Sequence, residues 1–140
     1  MKKLFILFCL LLCQKHFAQS IIGKWKTIDD VNGKEKGVVE IFEYKGKIYG
    51  KIIEIFEHDK KHLRCEKCEG EDKNKPLLGL HIIKGLTKNN EVYEGGKIVD
   101  PKNGKSYQCK ISFQGKDKLI VRGFIGISLF GRTQIWIRHQ

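Results

Sequence analysis

Apolar and polar residues alternate along most of this chain, and the period is that of strands. Tyr107, Cys109, Ile111 and Phe113 alternate with Ser106, Gln108, Lys110 and Ser112, as in a strand with one buried face. Gln114-Gly115-Lys116-Asp117 interrupts the rhythm and predicts a hairpin turn into Leu119–Arg122. A last strand, Thr133–Arg138, is apolar enough to need a covering partner. The first strand, around Trp25, is the natural one, and pairing the two closes the sheet.

Upstream, the Trp25 strand stops at Asp29-Asp30, and Asn32-Gly33 supplies a turn. Val38–Tyr44 and Ile48–Phe56 read as strands joined by Lys45-Gly46-Lys47. Val39 and Ile41 share one face of the former, and Val38, Phe42 and Tyr44 share the other. From His58 to Pro76 the rhythm is lost, which predicts a long connection of the kind that carries function or is tethered. Strand signals resume at Leu78–Ile83 and at Glu91–Val99, with Gly95-Gly96 marking a bulge. Asp100–Lys105 has the composition of a turn. The reading is all-β: a small antiparallel up-and-down barrel of about eight strands, with a two-sheet sandwich as the alternative. No repeat and no long helix interrupts it.

The first 19 residues stand apart. Lys2 and Lys3 precede an apolar run, Leu4 to Leu12, and Phe17-Ala18-Gln19 fits a cleavage region, with cutting after Ala18 or after Gln19. Residues 1–19 are therefore read as a signal peptide and 20–140 as a single domain, periplasmic or secreted, with no transmembrane segment in the mature part. Removing Lys2, Lys3 and Lys15 lowers the net charge from +11 to +8. Export argues against a nucleic-acid partner, and the cations are scattered singly along strands and turns instead of forming a stripe. A weak attraction to anionic membrane or cell-wall polymers is consistent with them.

Three cysteines lie beyond the leader: Cys65, Cys68 and Cys109. An oxidising compartment favours a disulfide, either between Cys65 and Cys68 or from one of them to Cys109. His58, His62, Cys65 and Cys68 also have spacing that could close around zinc, but oxidation would remove both thiolates, and solvated histidines are the blander reading. No metal or other cofactor is expected. Asp29 and Asp30 are adjacent, so they point apart and suit turn capping better than paired acid chemistry. No nucleophile motif, P-loop or dinucleotide fingerprint occurs, and Cys109 with His81 makes a catalytic pair only if the fold joins them. The chain is read as not an enzyme.

Several segments together resemble the bacterial DUF2147 family, exported domains of unknown function. They are Gly23–Asp30, Tyr49–Ile52, Cys65–Gly79, Gly95–Tyr107 and Val121–Arg138. The family is similar to calycins, the small barrels that include lipocalins. That resemblance implies a closed end built on Gly23-x-Trp25, with a basic residue of the last strand, Arg138 or alternatively Arg132, packed over the indole. It also implies a cavity for a small apolar or amphipathic molecule. Arg122, Arg132, Phe124, Phe130 and Tyr107 are the candidate ligand residues. Arginines in such apolar surroundings need carboxylates or aromatic faces, so a salt-bridge network at the closed end is the competing expectation. Two function classes follow. A carrier needs an empty apolar pocket with one converging polar group. An interaction module of the envelope, self-association included, needs a filled interior and an outer apolar patch, at 38–44 or 124–130.

Overall fold

The structure, a computed structural model, describes residues 19–140; the expected leader therefore lies, but for Gln19, outside the described residues. Eight strands follow one another: β1 Gly23–Ile28, β2 Glu35–Tyr44, β3 Lys47–Ile55, β4 His81–Asn89, β5 Val92–Val99, β6 Ser106–Gln114, β7 Lys118–Phe124 and β8 Gly131–His139. Each pairs antiparallel with the next, and β1 also pairs with β8 through Lys24↔His139 to Thr27↔Trp136. The sheet is a closed up-and-down barrel, which leaves no free edge. That excludes the sandwich.

β4 runs to Asn89, well past the Ile83 at which the apolar pattern stops. Ile83 and Leu86 are both fully buried although three residues apart. A strand of regular pleat would put them on opposite faces; register shifts against β3 bring both inward, facing Gly50 and Ile48. The irregularity hides the strand from a period-two reading.

The inward face of the barrel is filled. Trp25, Ile83, Leu86, Ile111 and Leu119 are 0 % exposed, and Cys109 and Trp136 only 1 %. A side chain bordering a void large enough for water would present area to it, and these present none or nearly none. Where β3 lacks a side chain, at Gly50, an added Cβ would come within 2.9 Å of Ile83 and 3.2 Å of Val39. The glycine is there because its neighbours already occupy the space.

Turns β2–β3, β4–β5 and β6–β7 gather with Gln19 and Gln140 at one end of the barrel. The segments β1–β2, β3–β4, β5–β6 and β7–β8 gather at the other. We call these the closed and the open end.

Candidate functional site

The closed end is built around Trp25. Its indole N–H donates to the Ile21 carbonyl (2.9 Å), and the Phe113 ring meets it edge-on at 6.3 Å. Gly23 has φ +137°, backbone that a side chain would resist. The chain can thus fold back so that Ile21 lies buried under the indole. The Arg138 guanidinium sits 4.2 Å from the ring centroid and donates to the Ser20 and Lys116 carbonyls at 3.2 and 3.4 Å. Of the two arginines considered for this place, Arg138 occupies it.

Arg132 is on the same strand but at the open end, where its guanidinium grips Asp30 with two hydrogen bonds of 2.9 and 2.5 Å. The pairing holds the Asp30 carboxyl below and the Arg132 guanidinium above their ordinary pKa values. At the closed end Arg138 stands 3.6 Å from the Asp117 carboxylate, but the Arg132–Asp30 pair lies at the opposite end from the one anticipated, because Asp30 follows the C-terminus of β1. Asp29 is independent of it. Its carboxylate accepts from the Val31 and Asn32 N–H groups (2.8 and 3.2 Å) and stands 3.5 Å from both the Lys36 and Lys102 ammonium groups. These backbone bonds, helped by the cations, hold its pKa down to about 2. Turn capping is its role.

The long β3–β4 connection is tethered. Cys65 and Cys68 are joined in a disulfide whose residues are buried, and the Cys65 N–H and carbonyl bond to Lys75 and Asn74. Asp72, inside the same segment, pairs with Lys84 of β4 and with Lys75. Burial raises its carboxyl's pKa, but the two ammonium groups outweigh that and hold it below the ordinary value. The disulfide turn rests on the β5–β6 turn at Gly104, where φ is +72° and a Cβ would overlap the Lys67 carbonyl. Only glycine fits there. Cys109 is free and buried, and burial pushes its thiol up to about 12, so it stays protonated. It faces the interior, whereas His81 is exposed against Phe42 on the outer face. The fold does not join this pair. Among the described residues no three His, Cys, Asp or Glu groups stand together at metal-binding spacing, and the Cys65 and Cys68 sulfurs are spent on each other.

The five candidate ligand residues all lie toward the open end without converging. Cys109, Gly123 and Arg132 stand opposite one another, so Tyr107 and Arg132 share the inner face, and Arg122 and Phe124 the outer. Arg132 is already engaged by Asp30. Arg122 donates to the Ser128 carbonyl (2.7 Å) and the Thr133 hydroxyl (2.8 Å), holding the β7–β8 turn. Tyr107 accepts a hydrogen bond from Asn103 (2.9 Å), Phe124 is buried, and Phe130 is exposed. What the open end does present is apolar surface: Ile125, Ile127, Leu129 and Phe130 are each more than half exposed. Beside them an open cleft of about 300 Å³ is lined by Cys68, Asp72, Val99, Lys105 and Ile125. A second, of about 340 Å³, lies near Ile21 and Tyr93 at the closed rim. The alternation of β7 ends at Phe124 and offered no signal for this turn beyond its unpaired apolar run. The 38–44 segment is different: Val38, Val39 and Ile41 are buried, while along the outer face Phe42 stacks on Tyr49 and Tyr44 meets Tyr49 edge-on.

The sequence model of a family described as "Uncharacterized protein conserved in bacteria (DUF2147)" matches residues 23–138. No curated protein matches the chain. Among solved structures, a protein from the human pathogen Helicobacter pylori, described as belonging to the lipocalin family, superposes with a TM-score of 0.76 at 22 % identity. The match covers 88 % of this chain and 85 % of that one. At that identity the likeness concerns the fold: an eight-stranded, lipocalin-like barrel. No helix among the described residues is long and apolar enough to cross a membrane.

Proposed function

The chain belongs to the DUF2147 family, and from that premise we propose that it is an exported, non-enzymatic interaction module whose barrel is a rigid scaffold for a recognition surface at the open end. One observation carries the reading. The interior is packed shut while four large apolar side chains of the 125–130 turn stand in solvent. A carrier would invert that distribution, with apolar surface inside and polar surface at the rim. The lipocalin-like fold supports carriage only by analogy, since one fold hosts many functions. A small amphipathic molecule would be taken up outside the core, in a rim cleft such as the one beside Ile125 or the one near Ile21 and Tyr93.

Native mass spectrometry of the protein purified unreduced from its own compartment tests this. The expected species begins after Ala18 or Gln19, weighs two protons less than the reduced chain and gains nothing from added fatty acids. A co-purifying apolar molecule released only on denaturation would overturn the reading and restore the carrier. A chain that retains residues 1–19 would remove export from it.

A further inference from the structure

The 125–130 turn is a held projection and not frayed chain. The Ile125 N–H donates to the Phe130 carbonyl (3.3 Å) and the Phe130 N–H to the Ile127 carbonyl (3.2 Å). Arg122 clasps the Ser128 carbonyl from below. On this frame Ile125, Ile127, Leu129 and Phe130 are 64, 57, 80 and 72 % exposed. So much exposure on successive apolar residues describes a convex knob. A knob can enter a soft medium or a groove, and the cleft beside Ile125 is such a groove on a second copy.

Charge separates those partners. The two stretches around the turn, 100–110 and 122–132, carry Lys102, Lys105, Lys110, Arg122 and Arg132 against one carboxylate, Asp100; from the β3–β4 segment Glu69 and Asp72 line the cleft beside Lys105, and Asp72 is taken by Lys75 and Lys84. Asp30 is set against Arg132, Glu94 against Lys110 and Asp29 against Lys102. Lys105 and Arg122 have no carboxylate partner among the described residues. Aliphatic and aromatic tips above a cationic base match the layering of a bilayer interface, with acyl chains inside anionic headgroups. A second copy of this chain would bring the same cations to the contact and repel it.

We propose that the 125–130 turn is a membrane-surface anchor, with Ile127, Leu129 and Phe130 entering the interface of an anionic bilayer and Arg122 and Lys105 lying at its phosphates. The proposal rests on the open end being the recognition surface and names its partner. Arg122 then has two tasks, since the same fork that holds Ser128 carries the charge beneath the knob. Gln19 and Gln140 lie at the closed end, so a docked barrel would direct them away from the lipid.

The chain from Ser20 to Gln140 contains every strand and every buried core residue among the described residues, so it can be used without the apolar leader. It is sedimented with vesicles of phosphatidylglycerol and phosphatidylethanolamine, and separately with phosphatidylcholine alone. Binding is expected with the anionic vesicles only, weakened by salt and reduced at least about tenfold by Ile127→Ser with Leu129→Ser, which remove apolar area from the knob. Both positions are exposed, so the fold should survive, and tryptophan emission checks that it does. No sedimentation with anionic vesicles, or sedimentation that the double variant leaves unchanged, overturns the anchor. A dimer in solution that the same variant dissociates overturns it in favour of a second copy, while leaving the open end as the recognition surface. The mass spectrum reads the barrel interior and the vesicles read the turn, so the two readings can fail separately.

Discussion

Arg132 and Arg138 stand on one strand, on one face, at opposite ends of the barrel. Arg138 lies on the Trp25 indole, donates to two carbonyls and stands 3.6 Å from the exposed Asp117 carboxylate, with its own side chain 30 % exposed; Arg132 is 60 % exposed and holds one carboxylate without an aromatic face. At the closed end a cation completes a packed core. At the open end the same residue type ties the rim in a solvated pair. The lesson is that the closed end is specified by fit and the open end by charge and tethers. Stability should therefore concentrate at the first and adaptability at the second.

Removing the centre of the closed end should cost most. Trp25→Ala leaves a large void in a core without slack, and a loss of about 3–5 kcal/mol is expected in urea unfolding. Opening the tether of the other end should cost less and act locally. Replacing Cys65 and Cys68 together by Ser removes a very short closed loop, worth about 2 kcal/mol in the chain-entropy picture. Amide exchange should rise across 58–79 and 100–105 while Trp25 and its neighbours stay protected; a uniform rise would erase the distinction between the ends.

The arginines sharpen the contrast. Arg138→Ala should lower stability by about 0.5–2 kcal/mol, mainly through the lost indole contact, with only the small share of the exposed Asp117 pair responding to salt. Arg132→Ala should lower it by no more than about 1 kcal/mol, and salt should shrink the difference further. The reverse order would mean that the Asp30 pair, and not the indole, secures β8. The smallest effect is acid loosening of the open end. Asp29 and Asp30 are held lower when folded than their ordinary value of 3.8, Asp29 at about 2. Their contribution is thus complete above that value and fades as pH falls from about 4 toward 2. Exchange at 29–34 should quicken in that window before Trp25 emission changes.

The barrel itself was legible because β6 keeps a period of two, turn residues separate the other short apolar runs, and an apolar last strand demands the first as its partner. The Trp25–Arg138 closure was legible only through the family resemblance, which left Arg138 and Arg132 both open. β4 was cut short because Ile83 and Leu86 reach the core through an irregularity that breaks the period. Which arginine met which carboxylate was not legible, since that depends on the end of the barrel at which Asp30 emerges. Nor was the disulfide partner, because Cys109 is kept from Cys65 and Cys68 by facing inward from β6. The filled interior was the least visible feature. It comes from how closely Gly50 and Gly123 let neighbouring side chains approach, which no alternation of residue types records.

The two tryptophans, Trp25 and Trp136, both lie in that interior, and their indole N–H resonances report on it directly. Titration with a medium-chain fatty acid, followed on those two signals, tests whether the barrel is full. A packed core predicts that both stay in place while amides at 125–130 and around Lys105 are free to shift. Saturable movement of either indole signal would show that the barrel opens to a ligand, and would contradict the filled scaffold on which the proposed function stands.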